Sequence, residues 1–155
     1  MPKIDVNTAP EVKGSRYPVP FDEPCRQRVR KRLGDAGGLT QFGVNLLTLA
    51  PGAWSSQRHW HTGEDEFVFV VSGEVVLKTN SGDEVLRAGD CAAFPKDDGD
   101  GHHVMNRSNA PAVLLEVGTR SQAGDVVRYP DIDLVFERKD EGFTRRDGTA
   151  YPRRR

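Results

Sequence analysis

Apolar residues along this chain alternate with polar ones or gather in short β-branched runs, and glycine and proline cut the pattern into pieces. Alternation sends every second side chain to one face, so each piece predicts a half-buried strand. Strands are expected over residues 26–33, 38–49, 67–71, 74–78, 84–87, 91–94, 102–106 and 112–117. The breaks between them are turn formers: Gly34-Asp35-Ala36-Gly37, Pro51-Gly52, Ser72-Gly73, Asn80-Ser81-Gly82-Asp83 and Asn109-Ala110-Pro111. Each supplies residues that reach positive φ or preset a turn. No long window carries a helical apolar period with caps. Many short strands at a spacing of roughly 8–12 residues imply an antiparallel sandwich or barrel, so the fold class is all-β.

The two ends depart from this pattern. Residues 1–25 are rich in proline and charge and form an N-terminal arm. Their apolar knot, Tyr17-Pro18-Val19-Pro20-Phe21, is expected to pack over the β-domain or onto a partner subunit. Residues 26–120 are the β-domain, and 121–155 a polar extension with one late strand near Ile132-Asp133-Leu134-Val135-Phe136 and a frayed tail from Asp147. There is no internal repeat or second domain.

Composition narrows the function classes. The chain has 155 residues, 36% of them hydrophobic, which suits one modest core. Lys+Arg number 22 against 23 Asp+Glu, a net charge of −1, and this balance argues against a general nucleic-acid binder. No apolar run approaches the roughly 18 residues of a membrane helix, and the N-terminus has no signal-peptide stretch. Cys25 and Cys91 could form one bridge at most, which excludes a disulfide-built secreted scaffold. The expected protein is cytoplasmic, with neither nucleic acid nor membrane as partner.

All 4 histidines fall in two tight pairs, His59 with His61 and His102 with His103. On a strand, His59 and His61 share a face while Trp60 points away. Thr62-Gly63 breaks that strand, so a turn can return Glu66 on the next strand to the same interior. Imidazoles with one carboxylate suit Fe(II), Mn(II), Ni(II), Cu(II) or Zn(II). Three or four protein ligands leave coordination positions open, which favours catalysis over a closed structural site. A lone His-x-His is as readily two residues of a solvated strand. The distant His102-His103 pair, after the Gly89 to Pro95 strand and a glycine-rich loop, supplies the third imidazole that a closed site needs.

These residues resemble the two motifs of the cupins, small metal-binding β-barrels. In the first motif His59-Trp60-His61, Glu66 and Gly73 keep register, and Gly52 lies one residue early. In the second, Gly89, Pro95, Gly99, His102 and Asn106 keep their spacing, with two residues added between Pro95 and Gly99. The resemblance implies a single antiparallel jelly-roll barrel with His59, His61, Glu66 and His102 as metal ligands. The gap to Asn106 selects His102, and parity agrees; His103 is then expected to point outward or toward a subunit contact. Parity with the ligands assigns Gln57, Val68, Val70, Val104 and Asn106 to the pocket. Glu66 first and Glu64 next are the expected proton-moving carboxylates.

The implied function is a metal-dependent enzyme acting on a small polar molecule, a sugar derivative or an organic acid. Isomerase, oxygenase, decarboxylase and lyase chemistry all stay open. The alternative is a non-catalytic ligand-binding or sensing protein. Phe67, Phe69 and Trp60 oppose the interior-facing positions and need cover, which suggests a homodimer. Arg26, Arg28, Arg30 and Arg32 share one face, as an anion-binding strip or as the charged face of an edge strand; few apolar neighbours accompany them, which favours the edge strand. Asp97, Asp98 and Asp100 are expected as a mobile acidic lip beside the pocket, Cys91 as a small buried residue, and Arg153-Arg154-Arg155 as a solvated tail.

Overall fold

Alternation in the sequence becomes strand pairing in the computed structural model, which describes residues 3–121, 124–138 and 142–152. The strands among them are β1 (Glu11–Lys13), β2 (Arg28–Arg32), β3 (Phe42–Leu49), β4 (Trp60–His61), β5 (Glu66–Ser72), β6 (Glu74–Thr79) and β7 (Gly82–Arg87). They continue with β8 (Cys91–Phe94), β9 (His103–Met105), β10 (Ala112–Thr119), β11 (Val126–Tyr129), β12 (Leu134–Glu137) and β13 (Gly142–Thr144). The expected turn at 34–37 closes as a single helical turn, Leu33–Ala36. No helix among the described residues is long and apolar enough to cross a membrane.

The strands form three antiparallel sheets, ordered β1-β2-β3-β10-β5-β8, β13-β12-β11-β4 and β7-β6-β9. The second and third are joined by an isolated bridge, His59↔His102, to make one layer facing the six-stranded sheet. The chain is all-β, and hydrogen bonding among the described residues does not by itself join these sheets into the single jelly-roll barrel expected. β2 is also not an edge: β1 pairs with it from Glu11↔Lys31 to Lys13↔Val29.

Register along β3 and β10 explains where the core ends and the site begins. The inner row runs Leu49, Leu47, Asn45, Gly43 on β3 against Ala112, Leu114, Glu116, Gly118 on β10. One end of the sheet is therefore apolar. There Leu47, Leu49, Leu114 and Val70 pack, fully buried, with Val75, Leu77, Leu86 and Val104 of the opposite layer, each such side chain worth on the order of 1.5–3 kcal/mol of burial. The other end is lined by charge and glycine. Sequence thus lays the core and the site side by side on one sheet face.

A second core binds both ends of the chain to the β-domain. Tyr17 and Cys25 of the arm pack with Val127, Tyr129 and Leu134, and Phe21, Phe136 and Tyr151 cover them. Trp54 N–H donates to Pro24 O at 2.9 Å, and Gln57 Nε2 donates to Phe21 O at 2.7 Å. The arm knot therefore packs on its own chain. Three strands were not anticipated, β1, β11 and β13. The arginine tail at 153–155 lies outside the described residues.

Candidate metal centre

His59 and His61 arrive on the edge of the second layer. β4 pairs with β11 through Val127↔His61, and His59 exchanges backbone hydrogen bonds with His102 at 3.1 and 2.8 Å. The chain then turns at Gly63, where a Cβ would stand 2.6 Å from Gly124 O, so only glycine permits the approach. After that turn Glu66 opens β5 on the facing sheet. His102 sits beside the start of β9, and Phe94 stacks on its ring at 3.6 Å.

Four side chains converge. Glu66 Oε2 lies 3.4 Å from His59 Nε2, 3.4 Å from His61 Nε2 and 2.9 Å from His102 Nε2. The other ring nitrogens reveal the tautomers. His59 Nδ1 is 2.9 Å from Gln57 O, an acceptor only, so Nδ1 carries the proton. His61 Nδ1–H donates to Asp125 Oδ2 at 2.6 Å. In the neutral rings both Nε2 atoms then present lone pairs toward a carboxylate oxygen, an arrangement that a cation among them would stabilise. The ligand atoms of His59, His61 and Glu66 all lie within 4.8 Å of one another, a donor set that fits a divalent transition metal, and His102 adjoins them through Glu66. A carboxylate behind a ligating imidazole, as Asp125 stands behind His61, is the usual support of such a centre.

The electrostatics agree. Burial pushes the His59 imidazolium below its ordinary range. Burial alone would raise Glu66, but its contacts with the surrounding imidazoles, His102 foremost, hold it well below the usual carboxylate range. For His61, burial works downward and is outweighed by Asp125 and Glu66, which lift it. Asp125 is lowered: against its burial, the His61 hydrogen bond favours the carboxylate.

Other anticipated site residues are placed differently. His103 is buried rather than outward-facing: its ring meets Trp54 edge-on at 4.7 Å, Nδ1–H donates to Ser56 O at 2.9 Å, and burial pushes it down to about 4. Val68 and Val104 line the cavity together with His59, Glu66 and His102, while His61 is not among its lining residues. Gln57, Val70 and Asn106 are not among its lining residues: Gln57 ties down the arm, Val70 is core, and Asn106 donates to Leu49 O and Ala110 O at 2.9 and 2.8 Å, fixing a turn. Glu64 lines the cavity but is held by Ser121 N–H at 2.9 Å and Arg138 Nη2 at 2.6 Å. Asp97, Asp98 and Asp100 are absent from the lining, and Cys91 is exposed on the outer face. Trp60 is covered within the chain by Arg128, 5.9 Å above its ring.

The cavity measures about 680 Å³, a size that suits a small-molecule ligand. Its wall overturns the edge-strand reading of the arginine strip. Arg28, Arg30 and Arg32 all line it, joined by Arg120 and Arg138, against the carboxylates Asp35, Glu64, Glu66 and Glu116. Arg30 is locked in a two-pronged pair with Glu116 at 2.6 and 2.8 Å. Arg28, buried, donates to the backbone oxygens of Gly14 and Ser55, and among the described residues no carboxylate stands within ion-pair distance of it. A buried guanidinium without an anion is costly. The strip is cavity wall because β1 covers the edge and the parity of β2 turns its even-numbered residues inward.

Sequence reasoning missed Asp125 and Tyr129, which stacks on His59 at 5.9 Å. The β-branched and aromatic run Val126-Val127-Arg128-Tyr129 was the available signal.

Known proteins resemble this chain in sequence and fold. The family pattern of the Cupin domain matches residues 45–118. A sugar phosphate isomerase of the cupin superfamily from Silicibacter pomeroyi superposes with a TM-score of 0.92, at 44% identity over 97% of each chain. The chain belongs to the cupin superfamily. A proposed sugar phosphate isomerase from Acidithiobacillus ferrooxidans follows with a TM-score of 0.72 and 31% identity over 82% of this chain and 81% of its own. Among curated proteins, the tetracenomycin polyketide synthase protein TcmJ of Streptomyces glaucescens is 35% identical over 78 residues, half of each chain. This cupin therefore spans about half the length of that curated relative.

Proposed function

We propose that this cupin is a metal-dependent isomerase of small phosphorylated sugars. The observation that carries the reading is the convergence of three imidazole Nε2 atoms on Glu66 Oε2, two of them with the opposite nitrogen already committed as donor. His59, His61, His102 and Glu66 would hold the ion. Such an ion supplies Lewis acidity to a substrate carbonyl or hydroxyl.

The chain's own residues do the rest. Asp125 fixes the tautomer and tilt of His61, and Phe94 fixes the ring of His102. The arginine-rich wall draws in an anion and favours a phosphate over an uncharged, extended aromatic ligand. Glu66 has one oxygen, Oε1, that the imidazoles do not occupy, and this atom is the one placed to meet a proton passing between neighbouring substrate carbons, a role that requires the bound substrate to lift the carboxylate from its lowered state. Glu64, pinned by Arg138, is a weaker candidate for that role. The two sugar phosphate isomerases at 44% and 31% identity support the same substrate class.

Elemental analysis of freshly purified protein is expected to find one divalent metal per chain. His61→Ala and His102→Ala should each lose it while melting cooperatively, because the apolar core does not depend on the ion; a full equivalent of metal in either variant removes that residue from the ligand set. Metal-loaded protein should interconvert an aldose phosphate and its ketose. Tight binding without turnover would identify a sensor, and bound iron would favour oxygenase chemistry over isomerisation.

A further inference from the structure

Gly43 and Gly118 face each other directly across β3 and β10, and Gly118 also pairs with Glu66 on β5. Both line the cavity. Glycine weakens a strand interior, so its presence at two paired positions calls for a reason. Backbone conformation is not that reason: the positive-φ glycines among the described residues lie elsewhere. Packing is not the reason either. A Cβ on Gly43 would find Arg120 Nη2 at 3.6 Å and Nε at 3.7 Å. One on Gly118 would find Asp65 O and Glu66 Cγ at 3.7 Å and Glu66 Oε1 at 4.0 Å. All are ordinary contacts, unlike Gly63 or Gly34, where a Cβ would meet backbone at 2.6 and 2.8 Å. What the two glycines supply is a cavity wall held at backbone level, with room for one added carbon in ordinary contact and no more. Their neighbours along the same inner rows, Asn45 and Glu116, carry side chains into the cavity.

We infer that the Gly43–Gly118 pair is the floor on which the substrate's carbon chain lies, and thereby a determinant of specificity. This rests on the reading of the cavity as the seat of a sugar phosphate. The bare strip has Glu66 Oε1 at one end and the Arg120 guanidinium at the other, with the glycines roughly 5 Å apart between them, the cross-strand spacing. At the Arg120 end, Asp35 is shared between Arg120 and Arg32, which leaves that end with a positive excess. The strip accordingly takes a short polyhydroxy chain, carbonyl end toward Glu66 and phosphate toward the two arginines.

The test compares manganese-loaded wild type with Gly43→Ala, Gly118→Ala and Gly118→Val. Melting temperature, bound manganese and calorimetric binding of three- to six-carbon aldose and ketose phosphates are measured, with inorganic phosphate alongside. The alanine variants should melt at or above the wild type, since the native backbone angles suit any residue. Manganese and inorganic phosphate should bind unchanged. Sugar phosphate should bind about tenfold more weakly in each alanine variant and beyond detection in Gly118→Val, as a clash with the ligand would produce. Undiminished sugar phosphate binding in all three variants overturns the floor while leaving the substrate class intact. So does a melting temperature several degrees lower in both alanine variants, because the glycines would then serve the fold. A wild type that binds no member of the panel removes the substrate class itself, and the floor with it.

Discussion

Asp125 shows at the scale of one residue how a site exceeds its ligands. Its two carboxylate oxygens do separate work: Oδ2 accepts from His61 Nδ1 at 2.6 Å and Oδ1 accepts from Gly63 N–H at 2.9 Å, holding the turn that returns Glu66 to the site. Asp125→Asn should leave the fold intact and weaken metal retention about 10- to 100-fold, the usual cost of losing such a support. Competition against a graded chelator measures it; unchanged retention would show that His61 is positioned by β4 alone. Spacing in the sequence placed His59, His61 and Glu66 toward one interior, because a two-residue step along a strand and a one-turn return are local geometry, whereas the choice of His102 came from the resemblance to the second cupin motif. Asp125 was not legible, since 64 residues separate it from His61 and only the β4–β11 pairing brings them together.

Among the elements, the strands with clear alternation emerged close to their expected bounds, as did the late strand of the extension in β12 (Leu134–Glu137), while β1 of the arm and β11 and β13 of the extension were not expected. Short segments such as β1, β11 and β13 carry too few alternating positions to stand out, and become strands by finding an edge to pair with. The arm has a measurable consequence. Cys25 is buried within it, and that burial pushes its thiol from 9.0 up to about 11, against the pull of Arg28 and Arg30. A pKa raised in the folded state means stability that is fully present below the ordinary thiol value and is lost as pH climbs through about 11, on the order of 2–3 kcal/mol. The melting temperature should therefore fall more steeply between about pH 9 and 11 in the wild type than in Cys25→Ala. Equal slopes would show that the arm does not hold Cys25 in the second core. A thiol reagent at neutral pH should label one of the two cysteines, Cys91, which is exposed.

The whole molecule leaves one face of its six-stranded sheet unusually apolar. Phe67, Phe69 and Val71 of β5 are 36%, 37% and 49% exposed, and Phe42 is 40% exposed. Isolated apolar residues need no partner, but a contiguous group on one sheet face marks a contact surface. We propose that two copies meet there as a homodimer. Sedimentation at micromolar concentration should give a dimer for the wild type and a monomer for Phe69→Asp with its metal retained; a monomeric wild type would remove the proposal.

By itself the sequence determined what depends on near neighbours: the all-β class, most strand positions, and the shared facing of His59, His61 and Glu66. Tertiary structure alone decided what depends on which strand lies beside which. It turned the arginines of β2 from an outer edge into a cavity wall and brought Asp125 behind His61. The physical reason is that alternation tells which residues share a face, while strand order, set by pairing between segments far apart in the chain, tells what that face looks upon.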